Sequence, residues 1–239
     1  MCDACTNMAV GRRRLMQGGL ALAGISLMGG SLFASAARAQ PVRAADTPDA
    51  ALKLLVDGNA RYAANQPNER DFSANRAATA AGQTPFASIL GCADSRVAPE
   101  LAFDQRPGDL FVVRVAGNFV TPDGLASLEF GAAVLRTKLI MVLGHNKCGA
   151  VNATVTALQK GNTLPGHIAD LVRAMKPGVE PVLKQTGDDL QQRAVIANVS
   201  YNAQRLQRAK PILAEMIARN EVRVVGAVYD LATGKVTLV

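Results

Sequence analysis

Two short apolar runs constrain the fold of this chain more than any other feature. Phe86–Leu90 and Leu139–Leu143 are five residues each, broken only by Ser88, and show no alternation of polar and apolar positions. Runs of this length and pattern read as strands of a parallel sheet covered on both faces. Each stops at reactive side chains: Gly91-Cys92-Ala93-Asp94-Ser95-Arg96 follows the first, and Gly144-His145-Asn146-Lys147-Cys148-Gly149 the second. Ligands of an open α/β sheet bind beyond the carboxyl ends of its strands. The two strands are therefore expected to deliver Cys92, His145 and Cys148 to one place.

Two thiolates and an imidazole suit zinc, which favours tetrahedral sulfur and nitrogen coordination. The His145-x-x-Cys148 spacing lets both side chains reach one ion from a turn that enters a helix. Three protein ligands leave a fourth position, which catalytic zinc sites keep for water and structural sites fill with another Cys or His. No cysteine follows Cys148, and the other histidine is His167, beside a glycine in a polar segment. One catalytic Zn2+ per chain is the expectation. Asp94 and Arg96, two positions apart, read either as a surface ion pair or as part of that site.

The first 39 residues read as an export signal. Arg12-Arg13-Arg14 precedes a weakly apolar run rich in Gly, Ala and Leu, and Ala37-Arg38-Ala39 before Gln40 has the small-residue pattern of a cleavage site. Paired arginines before such a run mark twin-arginine (Tat) export, a route for folded proteins to the periplasm or outside. The run is interrupted by Gly24, Ser26, Gly29, Gly30 and Ser31, which argues against a membrane anchor. Without Arg12, Arg13, Arg14, Arg38 and Asp3, the formal charge of +7 falls to about +4. No basic run or aromatic interleaving remains, so nucleic acid is not an expected partner. Cys2 and Cys5 leave with the signal, and the mature chain keeps Cys92 and Cys148. In an oxidising compartment these two could form a disulfide, and zinc loaded before export would protect them.

Residues 40–47 read as a flexible lead-in to a domain spanning 48–239. Thr47-Pro48 supplies an N-cap and first-turn proline for a helix to about residue 64. Residues 65–84 read as loop and short helix. Leu110–Val115 reads as a buried strand, Thr121-Pro122 as the start of a helix through Leu135, and Gly149 as the start of one towards Lys160. The Gly161–Gly187 region, with three prolines, reads as short surface helices. Asp188–Asn220 is expected to be helical with a break at Pro211, before strands Val222–Tyr229 and Val236–Val239. The fold class is α/β: a twisted, mainly parallel sheet of four strands plus an antiparallel edge strand, flanked by helices.

Phe86–Glu100, Leu110–Asn118, Ser127–Leu135, Leu139–Val151 and the closing Val224–Asp230 with Gly234 together resemble the β-class carbonic anhydrases. The resemblance covers most of residues 48–239. It implies reversible hydration of carbon dioxide to bicarbonate by a zinc-bound hydroxide. It also implies a homodimer, sometimes paired into a tetramer, with active sites at the subunit interface and the first helix packed on the partner chain. Asp94 would pair with Arg96 and orient the nucleophile; released, it would become the fourth zinc ligand of a closed, inactive form. With two thiolates on the metal, activity should be better at alkaline pH.

The resemblance further places Gln83 as an amide donor to substrate and Phe111, Ala116 and Phe130 on the apolar wall. Phe130 stands where a tyrosine is common. Gly149 can offer a backbone N–H at a helix start. Ile89 replaces the tryptophan of members that close on binding bicarbonate, so that switch is not expected. Arg114 and Asn118 match a family pattern and read as scaffold. Two other readings use the same ligands: hydrolysis of carbon disulfide or carbonyl sulfide, and a non-catalytic zinc module with Asp94 permanently bound.

Overall fold

The computed structural model describes residues 45–239; the expected signal segment and residues 40–44 of the lead-in lie outside the described residues. Ala45, at the end of that lead-in, is already buried. The elements run α1 (Pro48–Ala63), α2 (Phe72–Thr79), β1 (Ala87–Gly91), α3 (Pro99–Ala102), β2 (Leu110–Arg114), α4 (Pro122–Ala133) and β3 (Leu139–His145). They continue with α5 (Gly149–Lys160), α6 (Ile168–Leu183), α7 (Leu190–Gln207), α8 (Ile212–Ala218), β4 (Arg223–Tyr229) and β5 (Val236–Leu238). Thr47 caps α1 through its hydroxyl and Thr121 caps α4 in the same way, each followed by proline at the first helical position.

The five strands form one sheet in the order β2-β1-β3-β4-β5, the first four parallel and β5 antiparallel to β4. This is the expected fold class. Every residue of β1 and β3 is buried. Burial of the five side chains of Leu139–Leu143 is worth roughly 10 kcal/mol relative to exposure. Alternate side chains enter two cores. One face, with Leu90, Ile140, Val142, Val224 and Val228, packs under Leu128 of α4, Val151 of α5, Met175 of α6 and Val199 of α7. The other face, with Ile89, Leu139, Met141, Leu143 and Ala227, packs under Leu55 of α1 and Ala102 of α3.

Two expectations are corrected. β2 is half-buried rather than buried, because among the described residues it pairs only with β1 and its outer side is the edge of the sheet. The 161–187 region is not a set of short surface helices. Its greater part is the single helix α6, which holds Pro177 and Pro181 in its interior and buries Met175, Val179 and Val182. A proline there removes one backbone hydrogen bond, and the buried stripe outweighs that loss. Gly178 lets α6 come close to α7: a Cβ there would stand 3.0–3.2 Å from Tyr201.

Candidate metal centre

β1 lies between β2, which follows it, and β3, which follows β2, so the chain reverses direction across the sheet at β1. The crevice between the carboxyl ends of β1 and β3 is thus a topological switch point, where ligands of such sheets bind. Gly91 pairs with Leu143 at its mouth. Cys92 is the first residue beyond β1, and His145 the last of β3. Lys147 adopts a left-handed φ of 53° and turns the chain so that Cys148 sits at the N-terminus of α5.

The three side chains converge, each buried, with all ligand atoms within 4.8 Å of one another. Cys92 Sγ and Cys148 Sγ are 3.9 Å apart, far from a disulfide and close to the roughly 3.8 Å edge that two Zn–S bonds of ~2.3 Å make at a tetrahedral angle. His145 Nδ1 lies 2.9 Å from the Asn146 carbonyl oxygen, to which its N–H donates. That fixes the tautomer and leaves Nε2 with its lone pair free, buried and without a hydrogen-bond partner. A buried orphan of this kind is costly unless something binds it. The donor set therefore fits a zinc ion.

The rest of the site shapes the charge. The Cys148 thiol donates to Cys92, which lowers the Cys92 thiol to about 4 and pushes Cys148 up. The Gly117 N–H donates to Cys92 Sγ at 3.3 Å. Arg96 grips Asp94 with Nε on Oδ1 at 2.9 Å and Nη2 on Oδ2 at 2.7 Å, and its backbone N–H adds a third bond at 3.0 Å. These hydrogen bonds hold the Asp94 carboxyl well below the usual carboxylate range. Asp94 Oδ2 is 3.7 Å from His145 Nε2, at the rim of the ligand triangle.

The family model for carbonic anhydrase matches residues 87–236. Carbonic anhydrase 2 of Mycobacterium tuberculosis is 41% identical over 196 residues, covering 80% of this chain and 92% of that protein. The chain belongs to the β-class carbonic anhydrases. A Coccomyxa β-carbonic anhydrase, solved in complex with acetazolamide, matches with a TM-score of 0.63 and 30% identity over 70% of this chain and 77% of that one. One of two tetrameric β-carbonic anhydrases from Sordaria macrospora matches with a TM-score of 0.59 and 26% identity, covering 67% and 83%. As an enzyme of this family the chain uses zinc, and Cys92, His145 and Cys148 are the cluster that can hold it.

Within one chain of this carbonic anhydrase, the pocket residues divide into two groups. Ala116 and Gly149 stand beside the ligands: Ala116 follows Val115, which bonds Gly91 and Ala93 across the sheet end, and a Cβ on Gly149 would meet open space. Gln83, Phe111 and Phe130 belong elsewhere. Gln83 is exposed before the start of β1, about 16 Å of strand away from Cys92. Phe111 is the second residue of β2 and stacks obliquely on the half-exposed Phe130, centroids 6.3 Å apart. His167 is fully exposed and pairs with Asp170.

Several functional contacts were not legible in sequence. Arg114, expected as scaffold, proves to hold the site loop in place. Its Nε and Nη2 donate to the carbonyl oxygens of Cys92 and Asp94, at 2.9 and 2.7 Å, and so fix the Cys92-x-Asp94 segment. Gly117 needs its positive φ of 89° and its missing Cβ, which would lie 2.4 Å from Met175 Sδ. Asn198 of α7 donates to the Gly117 carbonyl at 2.8 Å, steadying the glycine whose N–H faces Cys92. No local signal marks Asn198 for this work, because it is 81 residues away in sequence.

Proposed function

We propose that this enzyme hydrates carbon dioxide reversibly at the Cys92–His145–Cys148 centre, with Asp94 and Arg96 as the pair that orients the attacking water. The observation that carries this reading is the free His145 Nε2, buried between two thiol sulfurs, with an ionised carboxylate 3.7 Å away. Zinc, when bound, supplies the Lewis acidity that lets water ionise near neutral pH, weakened here by two anionic ligands. Asp94, kept ionised by Arg96, is an acceptor only, and so fixes the direction of a water O–H at the rim of the triangle. Arg96 holds the carboxylate back from the ligands. Ala116 and the open space at Gly149 leave room for a small apolar substrate beside Cys148.

The experiment is stopped-flow carbon dioxide hydration on metal-quantified protein from Gln40 onward, at pH 7 and pH 8.5. Activity that rises with pH at one zinc per chain, is lost in Asp94→Asn and is inhibited by acetazolamide is the expected result. A full complement of zinc with no hydration at either pH would overturn it, and carbon disulfide would be the next substrate to assay.

The working unit in this reading is a homodimer, which can pair again into a tetramer. Two observations support it. The outer edge of β2 is unpaired among the described residues, and Gln83, Phe111 and Phe130 stand at the wrong end of the sheet to reach their own Cys92. Antiparallel pairing of two β2 edges would carry these three residues of one protomer to the metal centre of the other. The chain is exported folded by its Tat-type signal to the periplasm or beyond, as the arginine cluster and Ala37-Arg38-Ala39 support, and keeps no membrane anchor afterwards. Among the described residues no helix is long and apolar enough to cross a membrane.

A further inference from the structure

Asn146, between two metal ligands, is tied to the corner where β4 turns into β5. Its backbone N–H donates to the Tyr229 carbonyl at 3.1 Å, its Oδ1 accepts from the Leu231 N–H at 2.9 Å, and its Nδ2 donates to Asp230 Oδ2 at 2.5 Å. The other Asp230 oxygen is occupied by the N–H groups of Ala232 and Thr233 and by the Thr233 hydroxyl. On the opposite side of the same residue, the Asn146 carbonyl accepts a hydrogen bond from His145 Nδ1–H. The next residue, Lys147, is the left-handed one that returns the chain to Cys148.

We infer that Asn146 is a positioning residue for the metal, and that its clamp to Asp230 sets how long the ion is held. The Asn146 carbonyl selects the His145 tautomer, and it keeps its direction only while the Asn146 backbone is held, by its N–H on one side and its side chain on the other. A loosened Asn146 lets the imidazole rotate or take the other tautomer, and lets the Lys147 turn relax away from Cys148. Groups that orient metal ligands in this indirect way are commonly worth 10- to 100-fold in affinity. The inference rests on the metal reading given above.

Four variants, N146A, N146D, D230N and the reciprocal swap N146D/D230N, are compared with the natural mature chain by zinc release into an excess of a colour-forming chelator. Thermal unfolding of the metal-free proteins is recorded alongside. N146A removes the donor, and N146D sets two carboxylates against each other; each should release zinc at least about 10-fold faster. In the swap, the carboxylate placed at position 146 accepts from the Leu231 N–H and from the amide placed at position 230, whose oxygen keeps the Ala232 and Thr233 bonds. Release should return to within about threefold of the natural rate. Single variants that release zinc at the natural rate would overturn the clamp, as would a swap that leaks as fast as the singles. So would losses that merely follow the unfolding temperature of the metal-free proteins. A natural chain that takes up no zinc would instead overturn the metal reading itself, and the clamp with it.

Discussion

Asp94 is held by three hydrogen bonds from a single residue, and its Oδ2 lies one short swing from the ligand triangle. Arg96 is more than half exposed, so the ion pair itself adds little to stability. Its weight lies in where it keeps the carboxylate. In Arg96→Gln the two strong charge-assisted bonds are gone, and Asp94 would be free to act as the fourth ligand that the family resemblance implies for a closed form. Hydration at pH 7 should drop at least about 100-fold in this variant, while zinc is released more slowly than from the natural protein. Activity and chelator-driven release, measured on one preparation, check both halves. Low activity with faster zinc loss would show that Arg96 supports the ligands rather than restraining Asp94.

The elements show what a sequence can and cannot reveal. β1 and β3, with the ligands at their ends, were legible because a buried parallel strand must be apolar on both faces. Helix caps at Thr47 and Thr121 were legible because the chemistry is local. α6 was not, although Leu171, Met175, Val179 and Val182 have helical spacing: its prolines signal breaks, and the burial that tolerates them comes from elements far along the chain. The same distance hid Arg114, Asn198 and the partnership of Asn146 with Asp230, 84 residues apart. Asp104, just after α3, is a further case. Its buried carboxylate takes Arg61 of α1 and Arg70, each at 2.6 Å, and Asn68. Burial opposes its ionisation, but the Arg61 and Arg70 guanidiniums and Asn68 overcome that and hold its pKa below the usual value. A carboxyl depressed in the folded state contributes stability that is complete above its unfolded pKa of about 3.9 and is lost as pH falls through the folded value. Urea midpoints should therefore decline below about pH 4. Asp104→Asn should cost about 2 kcal/mol at pH 7, less than the ~3–5 kcal/mol of a fully buried pair because Arg61 keeps 30% exposure, and its acid decline should be shallower.

At the scale of the whole molecule, one face of the sheet is thickly covered by α4 to α7 and the other thinly, by α1 and α3. Phe111, Phe130 and Val134 leave apolar surface beside the free β2 edge. Protein recovered from the periplasm should sediment as two or four chains beginning at Gln40, with both thiols titrating once zinc is removed. A monomer, or a Cys92–Cys148 disulfide without metal, would count against dimer and folded export respectively.

The order of the strands also sets a timetable. Of the three ligands a chain emerging from the ribosome makes Cys92 first, then β2, the partner of β1, and must extend 56 residues past Cys92 before Cys148 exists to join it. Through that interval the growing chain carries only one of the centre's two thiols beside an incomplete sheet. Asp230, whose side chain holds Asn146 between two of those ligands, is made 82 residues later still. A fragment ending before β4 would own every ligand and hold its zinc poorly. The ligand set is thus complete long before the residue that steadies Asn146, which belongs to a part of the chain outside that set.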